Sequence, residues 1–581
     1  MVVQVIATAL ALQGSAIRPD VDCWIGTVGA GRSLRVAVLE LGPERSGAIT
    51  LFQRTAERKP LVEVVDSARH VAFAIGGTTT RFTGQRAADG ASIAGSIMQT
   101  PADAPRPVLL RRLTADDSAA RTLVGYWAGQ VEANGLPARV ILKFRAAPCG
   151  ATHVLMDSPD QAAANLPATG VRVRGDSIRI AMEFLGAALD GVIDRQQGRI
   201  TGSWRQAGRT MPLSVSRVDS SRANRRLQDP VPPFPYRSEE VRFENGGIRL
   251  AGTLTIPASA GPHPAILLLS GSGAQDRDET VAGHRPFLIL ADALTRAGIA
   301  VLRVDDRGIG GSTGNVMQAT LDDNAADATV ALRLLASRPE IDNARIGLLG
   351  HSEGGWLAPV VARVEPTVRF VVLLAGPALA GDTLLYAQQR ALSLAAGDPP
   401  EVIVARRNAT AMIARVLREE RVDSIASHRV DSAMTAMRES ATGRLREVID
   451  SLYGPARAAE MRSSWAVMRT PWFRHLVAYD PAPYLRTLRV PVLALYGERD
   501  LQVPAAVNAT ALRESLGAAR NPDVTIMTLP ELNHLFQHAV TGLPHEYGKI
   551  EETIAPEVTH TIVEWVASRA RVKAIPGRSR P

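Results

Sequence analysis

The stretch IGLLGHSEGGWLAP, Ile346 to Pro359, decides how the C-terminal part of this chain is read. An apolar run ends at Gly350, a serine stands at 352 between Gly350 and Gly354, and a helix-compatible apolar run follows from Trp356. Strand, tight turn and helix form the setting in which a G-x-S-x-G serine is held strained at the end of a sheet, with glycines where a Cβ would collide with neighbouring backbone. The pattern alone is weak in a chain with 48 glycines, and GGSTG, Gly310 to Gly314, matches it equally well. Ser312 follows VDDRGIG in a glycine-rich loop, which reads as a turn. Context therefore selects Ser352.

Outward from that serine, the sequence alternates. From residue 240 a hairpin, EVRFENGGIRLAGTLTIP, leads into AILLLSGSG, a helical stretch near FLILADALTRAG, IAVLRVDDRG, a helix from about Leu321 to Ser337, ARIGLLGHS, a further helix and RFVVLLAGPA. Buried apolar runs separated by helices indicate a mostly parallel, doubly wound sheet covered on both faces. Residues 378 to 475 interrupt it with alanine- and arginine-rich helical sequence, after which VPVLALYGERD and VTIMTLPELNH resume the alternation.

A serine hydroxyl is a poor nucleophile at neutral pH, so a histidine must take its proton and a carboxylate must hold that histidine's tautomer. In such sheets the chain order is serine, acid, histidine. Asp500 in GERDLQVP and His534 in ELNHLFQ both follow apolar strands and fall on the sheet edge that carries Ser352. Glu498 competes for the acid role but lies nearer the strand end. His538, His545 and His560 read as surface or packing residues, and the His351 side chain is expected to project away from that of Ser352. The oxyanion of an acyl-transfer intermediate needs backbone donors: the N–H of Glu353, after the nucleophile, and one from the glycine-rich loop SGSGAQDRDE, assigned to Ser272. The Glu353 carboxylate is expected to point away from that pocket. Asp276, Arg277, Asp278, Glu279, Asp305, Asp306 and Arg307 read as charges that fix these loops, with a dicarboxylate metal site as the sharper alternative.

The first two hundred residues carry an internal repeat. CWIGTV at Trp24 answers YWAGQV at Trp127, RFTG ending at Gly84 answers ALDG ending at Gly191, and SIAGSI around Gly95 answers RITGSW around Gly202. Each copy consists of short alternating runs punctuated by glycine, which is strand chemistry, so residues 17 to 218 are expected to form two small all-β units, barrel or sandwich. The segment DSSRANRRLQDPVPPFPYRSEE then supplies charge and four prolines, as a stiff exposed linker would.

At 581 residues the chain is long enough for several cores, and 46% hydrophobic with 21% charged residues is ordinary for a globular protein. The net charge of +8 comes mostly from arginines that are scattered rather than interleaved with aromatics, which argues against a nucleic-acid partner. Val2 to Leu12 is apolar, too short to span a bilayer, and followed by Gly14-Ser15-Ala16; it reads as a signal peptide lacking its basic start, or else as a first strand. No downstream segment looks transmembrane. The two cysteines, Cys23 and Cys149, would pair only in an oxidising compartment, and two buried free thiols are the blander expectation.

At SGSGAQDRDE, DDRGIGGSTG, GHSEGG, PWFRHLVAYDP, GERDLQVP and LNHLFQ, in order over residues 240 to 570, the sequence resembles the α/β-hydrolase superfamily, and within it bacterial carboxylesterases of the esterase D type. The resemblance implies a Ser352, Asp500, His534 triad, a helical cap, and hydrolysis of small-molecule carboxylic esters without a cofactor or metal. Ser270-Gly271 stands where the superfamily commonly has His-Gly. The expected plan is a signal peptide at 1–16, β repeats at 17–118 and 119–218, and a linker at 219–239. An α/β-hydrolase domain at 240–377 and 476–570, a cap at 378–475 and a basic tail at 571–581 complete it. Trp465, Trp472 and Phe473 in the cap line an acyl pocket or simply pack. Export to the periplasm or medium is expected, with the cytoplasm as alternative. A triad fixes the reaction type and not the leaving group, so thioester or peptide hydrolysis remains open. A different reading makes the β repeats a binding module for envelope glycans or lipids, with the hydrolase part ancillary.

Overall fold

The computed structural model describes residues 21–29, 35–52, 56–98, 105–113, 119–133, 136–147, 150, 152–158, 163–182, 185–219, 225–454 and 457–570. They fall into two compact units, divided between Arg225 and Arg226. The expected signal peptide and basic tail lie outside the described residues, as does Cys149. Cys23 is disulfide-bonded, which overturns the expectation of a free thiol there.

The N-terminal unit is all β. Eight antiparallel strands, from Asp22–Val28 to Arg106–Arg112, close into a barrel in which the first and last strands pair. Its interior is filled by Trp24, Leu39, Ile49, Phe73 and Phe82. The second repeat forms a nine-stranded antiparallel sheet over a core of Trp127, Phe144, Ile180, Leu189 and Val215. The repeated glycines have the same job in both copies: Gly84 pairs with Gly95, and Gly191 with Gly202, across neighbouring strands. A Cβ on Gly95 would lie 2.2 Å from Thr83 O, and one on Gly202 2.1 Å from Asp190 O. The backbone approach leaves no room for a side chain.

The C-terminal unit is built on eight strands: β1 (Tyr236–Asn245), β2 (Ile248–Pro257), β3 (His263–Leu269), β4 (Ala300–Val304), β5 (Ile341–His351), β6 (Val368–Leu374), β7 (Val492–Gly497) and β8 (Val524–Leu529). They lie in the order β1-β2-β4-β3-β5-β6-β7-β8. β1 and β2 form an antiparallel hairpin, and from β4 onward every neighbouring pair is parallel. Residue after residue of β3 and β7 is buried, as continuous apolar runs in a sheet covered on both faces must be. Helices α1 (Pro286–Arg296), α2 (Leu321–Ala336) and α3 (Gly354–Val364) follow β3, β4 and β5. α2 starts at a capping box between Thr320 and Asp323.

Between β6 and β7 stand α4 (Gly381–Ala395), α5 (Pro400–Glu419), α6 (Asp423–Ser440), α7 (Gly443–Tyr453), α8 (Ala458–Met468), α9 (Pro471–Ala478) and the short α10 (Ala482–Leu485). α11 (Ala505–Ala518) and α12 (Pro556–Arg569) complete the unit. α9 runs across the position, 475, at which the helical insert was expected to end. The expected linker is exposed at residues 231–235 but not throughout. Arg226 and Asp229 are buried, and the Arg226 guanidinium donates to Ile550 O at 2.7 Å and Gly548 O at 3.0 Å, so the proline-rich stretch from 226 onward belongs to the C-terminal unit.

Candidate active site

Ser352 follows β5 with a backbone φ of +51°, a conformation that costs a non-glycine residue on the order of 1 kcal/mol. The turn is held by Ser352 N–H donating to Leu374 O at 2.9 Å. Its crowding is severe: a Cβ on Gly350 would lie 2.0 Å from Gly354 O, and one on Gly354 2.1 Å from Leu269 O. α3 begins immediately after the turn, so the Glu353 N–H belongs to a helix N-terminus.

Asp500 follows β7 and His534 follows β8, and the two meet. His534 Nδ1 lies 2.9 Å from Asp500 Oδ2, with both residues buried. The other oxygen, Asp500 Oδ1, accepts the N–H groups of Gln502 and Val503, each at 2.8 Å, which fixes the carboxylate at the turn before α11. Asn533 shapes the histidine loop, its Oδ1 accepting from Leu535 N at 2.9 Å and Gln537 N at 3.0 Å. Glu498, the competing acid, is exposed and accepts Glu531 N–H at 3.0 Å instead. His538 and His560 pair with surface glutamates, and His545 is exposed. Among the described residues neither Ser352 Oγ nor His534 Nε2 is in a protein hydrogen bond. In uncomplexed sites such bonds often tighten only when substrate arrives.

The His351 side chain enters a buried network. Its Nδ1 lies 2.8 Å from Glu279 Oε1 and its Nε2 3.0 Å from His534 O, with the two imidazole rings 4.8 Å apart. Glu279 Oε1 also accepts Gly271 N–H at 2.6 Å. Of the loop amides, Gly271 is therefore occupied, whereas no protein acceptor takes Ser272 N–H or Glu353 N–H among the described residues.

The Glu353 carboxylate turns toward the helical insert. Trp472 Nε1 donates to its Oε2 at 2.9 Å and Asn324 Nδ2 approaches Oε1 at 3.5 Å. Burial pushes this carboxyl up to about 7, and the two donors offset only part of that. Asp306 is pushed up to about 8 by burial, against the hydrogen bonds it accepts from Gln275 N and Ser270 Oγ, both at 2.9 Å. Of the remaining loop charges, Asp276 accepts the N–H groups of Asp278 and Thr280, and the others are paired: Arg277 with Asp305 at 2.7 Å and with Glu240, Arg303 with Asp278, and Arg307 with Asp327 at 2.6 Å. They tie the loops after β3 and β4 to the sheet.

Of the three aromatic candidates, Trp472 packs beside the serine turn through Glu353. Phe473 lines a cavity of about 320 Å³ among α4, α5 and α9, and Trp465 one of about 730 Å³ within the helical insert, its Nε1 donating to Ser427 Oγ at 2.8 Å. The contacts of Trp472 and Asn324 with Glu353, and that of Glu279 with His351, carry no signal in the sequence: each joins elements remote along the chain.

The family model for serine aminopeptidase, S33 matches residues 285–439. The chain is 26% identical over 352 residues to esterase EstD of Thermotoga maritima, covering 58% of this chain and 70% of that protein. It is 31% identical over 134 residues to a peptidase of Bacillus subtilis called YtmA, itself uncharacterised, covering 22% of this chain and 49% of that one. Among solved structures, the esterase Pf2001 of Pyrococcus furiosus aligns at 16% identity and a TM-score of 0.35, over 58% of this chain and 91% of that one.

Proposed function

With its C-terminal unit an α/β-hydrolase related to serine hydrolases and esterases, we propose that this chain cleaves carboxylic esters through an acyl-enzyme. The observation that carries the reading is the 2.9 Å contact between His534 and Asp500, set in the loops after β8 and β7 on the sheet edge where Ser352 sits at φ +51°. His534 Nε2 takes the Ser352 hydroxyl proton as Oγ bonds to the ester carbonyl carbon, and the carbonyl electron pair moves to oxygen. The N–H groups of Glu353 and Ser272 receive that oxyanion, the first of them aided by the N-terminus of α3. Collapse breaks the bond to the alkoxy oxygen, which leaves with the proton from His534; water, deprotonated by the same imidazole, then repeats the cycle on the acyl-enzyme. Asp500 holds Nδ1–H throughout and favours the imidazolium.

The helical insert acts as a cap that selects the acyl group, a role supported by the cavities lined by Phe473 and Trp465. The disulfide at Cys23 supports an exported location, since such bonds persist in oxidising compartments. No helix among the described residues is long and apolar enough to cross a membrane. The test is a fluorophosphonate probe followed by a panel of p-nitrophenyl esters, thioesters and peptide amides. Labelling confined to Ser352 with ester turnover is expected. An unlabelled Ser352 would end the serine-hydrolase reading, and faster amide turnover would move it to a peptidase.

A further inference from the structure

The nucleophile with one oxyanion donor, the other donor, and the base stand on three separate loops, after β5, β3 and β8. One pair of side chains touches all three. Glu279 Oε1 accepts Gly271 N–H in the oxyanion loop and faces Nδ1 of His351, the residue before the nucleophile, whose Nε2 faces the carbonyl oxygen of His534. Glu279 is 1% exposed and His351 6%, so neither is bonding to bulk water as its alternative.

Both ring nitrogens of His351 face acceptors only, a carboxylate on one side and a carbonyl on the other. With Glu279 ionised, satisfying both requires a proton on each nitrogen, which makes the ring an imidazolium. Glu279 supplies the matching charge: its second oxygen is buried with no hydrogen-bond partner among the described residues, and an uncompensated carboxylate there would be costly. The other charged or titratable groups facing the pair are Asp500 and His534 from the β7 and β8 loops and Asp306 from the β4 loop. We propose that Glu279 and His351 form a buried ion pair that positions the reacting groups, occupying Gly271 N–H so that Ser272 N–H is left for the oxyanion, and anchoring the His534 backbone so that its ring meets Ser352. This rests on the serine-hydrolase reading of the same site. In support, burial pulls the His351 imidazole down, but the charge and hydrogen bond of Glu279 and the His534 carbonyl outweigh it and hold it above the ordinary histidine value.

The pair acts through other residues, so its test separates positioning from folding. In protein labelled with ¹⁵N-histidine, one histidine, assigned by its loss in His351→Gln, should keep protons on both nitrogens well above the usual midpoint of about pH 6.5. In Glu279→Gln, whose amide oxygen still accepts Gly271 N–H, that signature should vanish, with kcat down about a hundredfold and KM changed less than about threefold. Glu279→Asp, which keeps the charge, should restore the doubly protonated state and part of the lost kcat. A singly protonated His351 at neutral pH in the wild-type protein overturns the proposal, whether or not the variants fold; so does a folded Glu279→Gln with wild-type kcat. Ser352→Ala and probe labelling run alongside: turnover surviving Ser352→Ala would reject the serine reading, while the nuclear magnetic resonance result would still judge the ion pair.

Discussion

Ser312 and Ser352 each stand third in a G-x-S-x-G stretch, and their surroundings divide them. Ser312 is buried, its Oγ donating to Asp305 O at 2.8 Å and accepting Ala251 N–H at 3.0 Å. Ser352 has a strained backbone and a hydroxyl in no protein hydrogen bond among the described residues, with the His534 and Asp500 loops beside it. A hydroxyl that stitches a strand's backbone to that of a neighbouring loop is committed to structure; one placed on a strained turn with its hydrogen bonds unspent is available for chemistry. The first comparison to try is therefore the largest. Ser352→Ala should lower ester turnover by about 10⁶-fold in kcat while leaving the thermal midpoint nearly unchanged. Ester turnover within tenfold of wild type would remove the distinction between the two serines.

The flanking glycines sharpen it. A Cβ at Gly354 meets backbone, Leu269 O at 2.1 Å, whereas at Gly314 the nearest neighbour is the side chain of Ile248 at 3.2 Å, with a backbone φ of +98° as the main obstacle. Gly354→Ala should cost more than about 3 kcal/mol, or prevent folding, because main chain must move. Gly314→Ala should cost about 1–2 kcal/mol. Urea unfolding of the two variants checks the order, and equal losses would mean that the serine turn is no more tightly built than the loop.

The residues that follow the serines differ as well. Thr313 Oγ1 accepts Arg249 N–H at 2.9 Å, an ordinary loop contact, while Glu353 is a buried carboxyl pushed up to about 7. A carboxyl whose folded value is raised binds its proton more tightly folded than unfolded. Its contribution to stability is present in full below about pH 4.5 and is lost as pH rises through 7. The loss should amount to roughly 3 kcal/mol. Glu353→Gln keeps the backbone N–H and an acceptor for Trp472, so it should flatten the fall in stability between pH 5 and pH 8, also easing Asp306, whose own rise owes part to Glu353. Identical slopes in the two proteins would show that Glu353 is not the titrating group.

How much of this was legible follows from what each feature depends on. The parallel sheet and the triad candidates could be read because buried strands are continuous apolar runs, as in AILLL and RIGLL, and because sheet topology puts their C-terminal loops on one edge. Barrel closure in the first repeat could not: alternation at Leu34, Val36 and Val38 looks the same in a barrel, a sandwich or an open sheet. Arg226 was hidden for another reason. A proline-rich, charged segment looks like a linker unless one knows that carbonyls from Gly548 and Ile550 are folded against it. The Glu279–His351 contact is of the same kind, since DRDE announces loop charges without saying which of them reaches the serine turn.

The smallest effect tests the other half of the opening comparison. Ser312→Ala removes an acceptor from Ala251 N–H and a donor from Asp305 O in a site nearly closed to solvent. Leaving buried backbone groups unsatisfied costs about 1–3 kcal/mol, and water cannot easily repair it where the residue is 8% exposed. Activity should stay within about threefold, because the backbone of the loop is also held by Gly311 N–H and Arg277, both bonded to Asp305. A loss of about 1–2 kcal/mol in urea unfolding with turnover retained would complete the separation of the two serines. A loss of activity larger than the stability change explains would instead mean that the Asp305 loop transmits strain to Asp306 and, through Ser270, to the oxyanion loop.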